Sequence, residues 1–219
     1  MRQQYVVDTM VLVSAFKDGF AALQANPILL VAGLLVGGGS QLQNVEHLID
    51  SPLVSAGASL AWLIVFPFVL GGFIDTARAA IEGTETSVTQ FVTAAQTHYL
   101  RLLLGTVVFV LLVLGTAIGL GLVGFILGIG TLALAAIHEM AAFAAGVGSL
   151  LVWLLSILLV IMFVQFYDVA IVIEDQSIAD AFRRSVSLVR SNLKSVAGFS
   201  LVWVILLNAF FIPEYLLQL

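Results

Sequence analysis

The stretch from Phe166 to Gly198, FYDVAIVIEDQSIADAFRRSVSLVRSNLKSVAG, decides how the rest of the chain is interpreted. In it an apolar run ends in acidic residues, a short polar turn follows, and an amphipathic helical pattern leads into the next apolar run. The stretch from Phe73 to Gly105, FIDTARAAIEGTETSVTQFVTAAQTHYLRLLLG, has the same order, and a fainter copy lies between Thr9 and Gly33. The sequence therefore predicts an internal repeat.

The two clearer copies align at a constant offset. Six matched pairs, among them Asp75 with Asp168, are separated by 93 residues, although the register slips at the longer turn after Glu82. Ser87 and Ser177 each begin a Ser-x-x-Gln or Ser-x-x-Asp pattern, which is typical of a helix N-cap with a partner at N3. The pattern predicts parallel repeat units within one integral membrane domain covering 1–219, at about 9–82, 86–175 and 177–219.

The composition predicts an all-α polytopic membrane helix bundle. The chain is 61% hydrophobic and 10% charged, whereas ordinary soluble domains carry about 25% charged residues. Uncharged apolar runs of about 20 residues recur, and each is long enough to cross a hydrocarbon layer of about 30 Å. There is no cysteine, which excludes disulfides and thiolate sites, and the net charge of −5 argues against nucleic acid as a partner.

About five transmembrane spans and three amphipathic surface helices are predicted. The spans fall at about 27–44, 53–81, 102–130, from a start between 140 and 148 to 167, and at 195–212. The surface helices fall at about 6–24, 87–97 and 177–191, and Asn26 stands in the first copy where Asn192 stands in the last. Glycines at 115, 119, 124 and 128 favour close helix packing in the third span. The segment 131–148 is either a short loop or a re-entrant segment.

The basic residues predict the orientation of the chain in a cell membrane. All eight lysine and arginine residues fall on one side of the five-span arrangement. Because basic loops stay in the cytoplasm, the N-terminus is expected in the cytoplasm and the C-terminus outside.

Asp75 and Asp168 are the sharpest candidates for a functional role. Each lies near the cytoplasmic end of a predicted span, at equivalent positions of the repeat. Carboxylates within a membrane often mark ion or proton paths. The alternative is that they are salt-bridged near the headgroups, Asp75 with Arg78 and Asp168 with Arg184 or Lys194.

The last surface helix carries a basic stripe that suits anionic lipid headgroups. The alternative is a general positive-inside anchor without a specific ligand. Asp180 is expected to pair with Arg184 at i, i+4. The candidate headgroup or surface residues are Arg183, Arg184, Arg190 and Lys194.

Other polar residues give weaker signals. His47, His98 and His138 are scattered and form no metal-ligand pattern, so no metal site is expected. Asn208, in the fifth span, is expected to hydrogen-bond between helices. No Ser/His/Asp constellation, phosphate loop or zinc-protease motif is present, so neither an enzyme nor a cofactor is predicted.

The segment after the apolar span ending at Asp168 resembles a known group of membrane domains. The pattern is Ser-Ile-x-x-Ala-Phe-x-x-Ser with a basic continuation ending in Asn, formed by Ser177, Ile178, Ala181, Phe182, Ser185 and Asn192. The group includes the membrane part of bacterial glycerophosphodiester phosphodiesterases and several uncharacterised prokaryotic polytopic families. The resemblance implies a membrane helix bundle without catalytic residues, since catalysis in the phosphodiesterases belongs to a separate soluble domain. The usual six-span organisation is one span longer than the five predicted here.

Two functions follow from these observations. The first is a non-enzymatic scaffold or accessory subunit that packs against membrane lipid, a protein partner or a second copy of the chain. The second is a small transporter or channel that uses Asp75 and Asp168, because transporters are often built from repeats with a site between them.

Overall fold

Eight α-helices make up the part of the chain that the computed structural model describes, which is the backbone of residues 2–40 and 51–217 and the side chains of 14–39 and 51–205. No strand occurs in these ranges. His47, one of the three scattered histidines, lies outside the described residues. The side chain of Asn208 also lies outside them, although its backbone belongs to the last helix. The helices are α1 (Arg2–Ala25), α2 (Pro27–Ser40), α3 (Pro52–Ile81), α4 (Val88–Ala135), α5 (Glu139–Val164), α6 (Tyr167–Ile173), α7 (Ile178–Ser191) and α8 (Leu193–Leu217).

Three stretches are long and apolar enough to cross a membrane. They are Pro52–Ile81, Val88–Ala135 and Glu139–Ile173. Two further pairs of helices meet the same test but bend by 101° at a short break, and counting each pair as one span raises the number to five. By length and composition, the described helices therefore give three to five candidate spans, which suggests a membrane protein and includes the predicted number.

The two bends share their local chemistry. The side-chain amide of Asn26 donates to the carbonyl of Ala22 at 2.8 Å, and that of Asn192 donates to the carbonyl of Leu188 at 3.0 Å. Each asparagine side chain thus adds a second hydrogen bond to a carbonyl that also accepts from the backbone N–H of the same asparagine, at 3.1 Å in both bends. Pro27 then starts α2 with a residue that suits the first helical position. Asparagine is therefore the break signal in both bent pairs.

The α4 helix corrects a predicted boundary. The surface helix expected at 87–97 and the span expected from 102 form one helix that continues to Ala135. The reason is that no glycine, proline or asparagine lies between Ser87 and Gly105. The side chain of Ser87 accepts a hydrogen bond from the backbone N–H of Gln90 at 3.1 Å, so the predicted N-cap is confirmed.

The described chain divides into two compact units. The first comprises Met1–Gly105 with Phe166–Leu219, and the second comprises Thr106–Gln165. Within the first unit α3 packs against α1, α2 and α6, and α6 packs against α7. Its fully buried side chains include Leu102, Ile171 and Val189. These contacts give the first unit a core of its own.

Glycines allow close helix packing in the first unit. A Cβ at Gly72 would lie 2.7–2.8 Å from three ring atoms of Phe91. A Cβ at Gly105 would lie 3.0 Å from the ring of Tyr167 and 3.2 Å from Ile171. Tyr167 in turn stacks on Phe182 with ring centroids 4.9 Å apart. The glycines at positions 72 and 105 therefore allow α4 to pack closely against both α3 and α6.

The second unit is a helical hairpin with a tight turn. The backbone N–H groups of Ile137 and His138 both donate to the carbonyl of Leu134, at 3.0 and 2.8 Å. The Nδ1 atom of His138 accepts from the N–H of Ala141 at 3.3 Å and caps α5. Since α4 ends at Ala135 and α5 begins at Glu139, the segment 131–148 contains a three-residue turn between two helices.

Candidate functional site

Asp75 lies on α3 and faces the start of α4. Its Oδ2 atom accepts a hydrogen bond from the Nε2 atom of Gln90 at 3.3 Å. Arg78, its predicted partner, instead donates through Nε to Glu82 at 2.9 Å. The predicted Asp75–Arg78 salt bridge is therefore wrong. The reason is that Glu82 lies one turn beyond Arg78 on the exposed side of α3, where the guanidinium also reaches water.

Asp168 lies in the first turn of α6. Its Oδ1 atom accepts from the backbone N–H of Val169 at 2.8 Å, and it takes part in no ion pair with any described residue. Arg184, one of its two predicted partners, instead binds Glu174 through three hydrogen bonds of 2.8–3.0 Å. Asp75 and Asp168 lie on helices that pack together, but no hydrogen bond joins their carboxylates in the described part of the chain.

Arg101 ties α4 to the turn between α6 and α7. Its guanidinium forms an ion pair with the carboxylate of Asp175 and donates to the carbonyls of Asp175 and Gln176 at 3.1 and 3.5 Å. Asp175 has a φ of 51°, in the left-handed region that residues other than glycine seldom adopt. Arg101 therefore holds a strained turn in place.

His98 completes a group of charged and titratable side chains around Arg101. It lies one turn before Arg101 on α4, and the charges of Arg101, Asp175 and Asp75 all act on it. Its Nδ1 atom is buried and has no hydrogen-bond partner among the described residues. We call Asp75, His98, Arg101 and Asp175 the polar cluster. It combines two carboxylates, an imidazole and a guanidinium.

One member of the polar cluster, Asp75, was predicted as a candidate site residue, and the other three were not. The i, i+3 spacing of His98 and Arg101 places them on one face of a helix, and that signal was available. The approach of Asp175 depends on the turn after α6, which the sequence does not specify. Next to Asp75, the hydroxyl of Thr76 is fully buried and also without a described partner. No group of three metal-ligating side chains occurs in the described part of the chain.

The α7 helix confirms its predicted amphipathic form. The side chain of Ser177 accepts from the N–H of Asp180 at 3.3 Å, as expected of an N-cap. One face is buried through Ala181, Ser185 and Val189. The hydroxyl of Ser185 accepts from the N–H of Phe166 at 3.1 Å and so satisfies a donor at the break between α5 and α6.

The basic stripe of α7 is partly neutralised within the chain. Arg183 pairs with Asp180 at 3.0 Å and Arg184 pairs with Glu174, so the predicted Asp180–Arg184 pair is wrong. Arg184 binds Glu174 instead of Asp180 because the turn before α7 places both carboxylate oxygens of Glu174 within hydrogen-bonding distance of the guanidinium. Arg190 is exposed and forms no ion pair among the described residues. Two of the four predicted headgroup ligands thus already bind carboxylates.

The Glu174–Arg184 pair predicts a loss of stability in acid. Hydrogen bonds from Arg184 hold the pKa of Glu174 below its ordinary value of 4.5. A depressed pKa stabilises the folded chain fully above that ordinary value, and the contribution is lost as the pH falls below it. We expect Arg184→Gln to be less stable than the wild type at about pH 7, with the difference disappearing towards about pH 3.

Thermal unfolding followed by circular dichroism at several pH values measures this difference. Arg190→Gln is the matched control, because Arg190 has no described carboxylate partner, and its difference from the wild type should not change with pH. A constant deficit of Arg184→Gln across the whole range would contradict the assignment.

The helices described above define the class of protein to which the chain belongs: an all-helical protein with several apolar helices long enough to cross a membrane. The profile of the family described as a domain of unknown function, DUF7847, matches residues 10–219, and the chain belongs to this family. No curated protein and no solved structure matches the chain. The matches thus support an uncharacterised family and give no link to glycerophosphodiester phosphodiesterases.

Proposed function

We propose that the chain is a non-enzymatic integral membrane protein, a scaffold or accessory subunit, whose α4–α5 hairpin binds a transmembrane helix of a protein partner or of a second copy. The observation that carries this proposal is a groove of about 360 Å³ within the second unit. Small residues dominate its walls, which include Gly121, Gly124, Gly128, Gly146, Ser149 and Trp153.

The shape of this groove suits a helix better than lipid chains. A Cβ placed at Gly124, Gly128 or Gly146 meets no atom within 4 Å, so the backbones lie open to a close neighbour. Small residues at i, i+3 and i+7 let a second helix approach closely inside a membrane. Elsewhere the hairpin exposes bulky side chains such as Phe125 and Leu132, which suit contact with lipid.

The distribution of charge supports the proposed orientation. The second unit contains no lysine or arginine, and all eight basic residues belong to the first unit. Cytoplasmic loops carry the excess of basic residues, so we propose that the surface helices face the cytoplasm. The matching bends at Asn26 and Asn192 support the proposed internal repeat. The resemblance to the membrane part of the phosphodiesterases fits a role without catalysis and stays a proposal.

Substitution of the groove glycines tests the proposed partner. We expect the wild type, after gentle extraction, to carry a defined additional protein mass in native mass spectrometry. Gly124→Leu and Gly128→Leu should each lower the bound fraction by about tenfold, since a bulky side chain in a close helix contact costs about 1–3 kcal/mol.

Gly115→Leu is the matched control for this test. Gly115 lies on the same helix with open space around it, but it does not line the groove. Recovery of the wild type as a bare monomer would refute the proposal. Full retention of the partner by Gly124→Leu would show that the groove is not the binding surface.

The alternative is a small transporter or channel that uses Asp75 and Asp168. It is favoured by the absence of an ion pair at either carboxylate among the described residues, and by the electrostatic influence of Asp75 on His98. A carboxylate and an imidazole within an apolar bundle are typical of proton paths. Neither aspartate lines the hairpin groove. Ion flux in vesicles that falls in Asp75→Asn and Asp168→Asn would favour this alternative.

A further inference from the structure

We propose that the corner formed by α1, α2 and α3 binds an anionic membrane lipid, with one acyl chain in an apolar cavity and the phosphate at Lys17. This site is separate from the hairpin groove, and the inference shares with the proposed function only the location of the chain in a membrane. Three observations lead to it: the lining of the cavity, the position of Lys17 beside it, and the bend between α1 and α2.

The cavity is lined by apolar side chains and is large enough for part of a ligand. Its volume is about 340 Å³, which lies within the range of small-molecule sites of roughly 300–1,000 Å³. No charged or hydrogen-bonding side chain is among the described residues that line it, so a hydrocarbon chain matches its chemistry and a polar ligand does not. The walls come from three helices and include Phe16, Gly19, Leu23, Leu29, Phe73 and Ile81.

A cationic group lies beside this cavity. A second opening of about 500 Å³ shares the side chains of Phe16 and Phe20 with the first and is also lined by Lys17 and Gln24. Lys17 and Gln24 are seven residues apart, which places them on one face of α1. Lys17 is exposed and forms no ion pair with any described residue. Its ammonium and the amide of Gln24 supply donors for a phosphate.

The bend between α1 and α2 places these two features at suitable depths. α1 turns by 101° relative to α2, so when α2 enters the hydrocarbon layer α1 lies along its surface. The cation of Lys17 then lies at the level of the headgroups, where a basic residue attracts anionic lipid. Asp18, the adjacent acidic residue, lines neither opening. An anionic lipid therefore matches both the apolar and the charged part of the corner.

Native mass spectrometry of the full chain in neutral detergent tests this assignment. The probes are phosphatidylglycerol, which is anionic, and phosphatidylcholine with the same acyl chains, which has no net charge. We expect the wild type to retain one bound phosphatidylglycerol and to prefer it over phosphatidylcholine by about fivefold, the effect of one basic residue near a membrane surface.

Two variants separate the chain-binding and headgroup-binding parts of the site. A Cβ at Gly19 meets no atom within 4 Å, so Gly19→Leu fills the cavity without a clash and should abolish retention of both lipids. Lys17→Gln should retain phosphatidylcholine as the wild type does and lose the preference for phosphatidylglycerol. The matched controls are Gly57→Leu, at another open glycine away from the cavity, and Arg78→Gln, at an exposed cation that pairs with Glu82 and lines neither opening.

Three outcomes would overturn the proposal. They are equal retention of the two lipids by the wild type, normal lipid retention by Gly19→Leu, and an equal loss of preference in Arg78→Gln and Lys17→Gln. The last would show that the net basic charge attracts the lipid rather than this corner. The α1 variants leave the hairpin groove unchanged, so a bound partner mass that survives in them separates a failure here from a failure of the proposed function.

Discussion

Ile171→Ala is expected to lower the free energy of unfolding by about 2–5 kcal/mol. Ile171 lies in the short helix α6 and is 0% exposed. It packs at Gly105 of α4, where a Cβ on the glycine would lie 3.2 Å from its Cδ1 atom. The substitution therefore leaves a cavity where Gly105 of α4 meets α6, beside the ring of Tyr167.

The control for this prediction is the same substitution at an exposed position. Ile118 is 62% exposed and lies in the second unit. We expect Ile118→Ala to change the free energy of unfolding by less than about 1 kcal/mol, because little packing is removed there. Reversible unfolding in mixed micelles, followed by circular dichroism, gives both values. Equal losses at the two positions would show that α6 is not part of the core.

Gly72→Ala is expected to destabilise the chain by about 1–3 kcal/mol, in contrast to the usual effect of this change in a helix. Alanine normally stabilises a helix relative to glycine by about 0.5–1 kcal/mol. At Gly72 the added methyl would meet three ring atoms of Phe91 at 2.7–2.8 Å, and the ring has no flexible end to move aside. Either α4 shifts away from α3 or the ring leaves its rotamer.

Gly33→Ala is the matched control for Gly72→Ala, because a Cβ at Gly33 meets no atom within 4 Å. We expect this variant to be slightly more stable than the wild type. A second check is the double variant Gly72→Ala with Phe91→Leu, in which the smaller side chain should restore part of the lost stability. The prediction fails if Gly72→Ala and Gly33→Ala change the stability in the same direction.

Local signals in the sequence were sufficient for the helix boundaries at Ser87, Ser177 and Asn26. An N-cap requires a side-chain oxygen three residues before an unpaired backbone N–H. The hydroxyls of Ser87 and Ser177 both accept such a hydrogen bond, so both predicted N-caps are confirmed. The break at Asn26-Pro27 also depends on neighbouring residues alone. Two candidate spans, α1 with α2 and α7 with α8, each join a predicted surface helix to a predicted membrane segment. Both bend at an asparagine, Asn26 in the first and Asn192 in the second. α4 stays continuous because it has no such residue.

Ion pairs could not be assigned from helical spacing. Arg78 has Asp75 on one side and Glu82 on the other, at distances along the helix that both permit contact. The choice of Glu82 follows from Asp75 facing Gln90 on α4, which is a tertiary contact. Arg184 likewise binds Glu174, ten residues away, because of the turn geometry that precedes α7. Spacing along one helix therefore gave two incorrect pairs.

The polar cluster illustrates the same limit at the scale of the fold. Asp75 stood out in the sequence because an acidic residue is rare in an apolar run. His98 and Arg101 follow the polar residues Gln96 and Thr97, so their polarity alone did not mark them as site candidates. Their approach to Asp175 requires α4 to pass the turn after α6, and that turn depends on a positive φ at a residue other than glycine. Neither condition can be read from composition or periodicity.

The three-residue turn between α4 and α5 bears on how the proposed membrane hairpin is inserted. The tip of a hairpin has to be translocated across the hydrocarbon layer, and each charged or unpaired polar group adds to the barrier. Here the N–H groups of Ile137 and His138 are bonded within the turn, and Glu139 is the one formally charged residue between Thr106 and Gln165. One carboxylate at the tip therefore supplies the formal charge that has to be translocated, and Glu139→Gln would remove that charge from the segment without adding a bulky side chain.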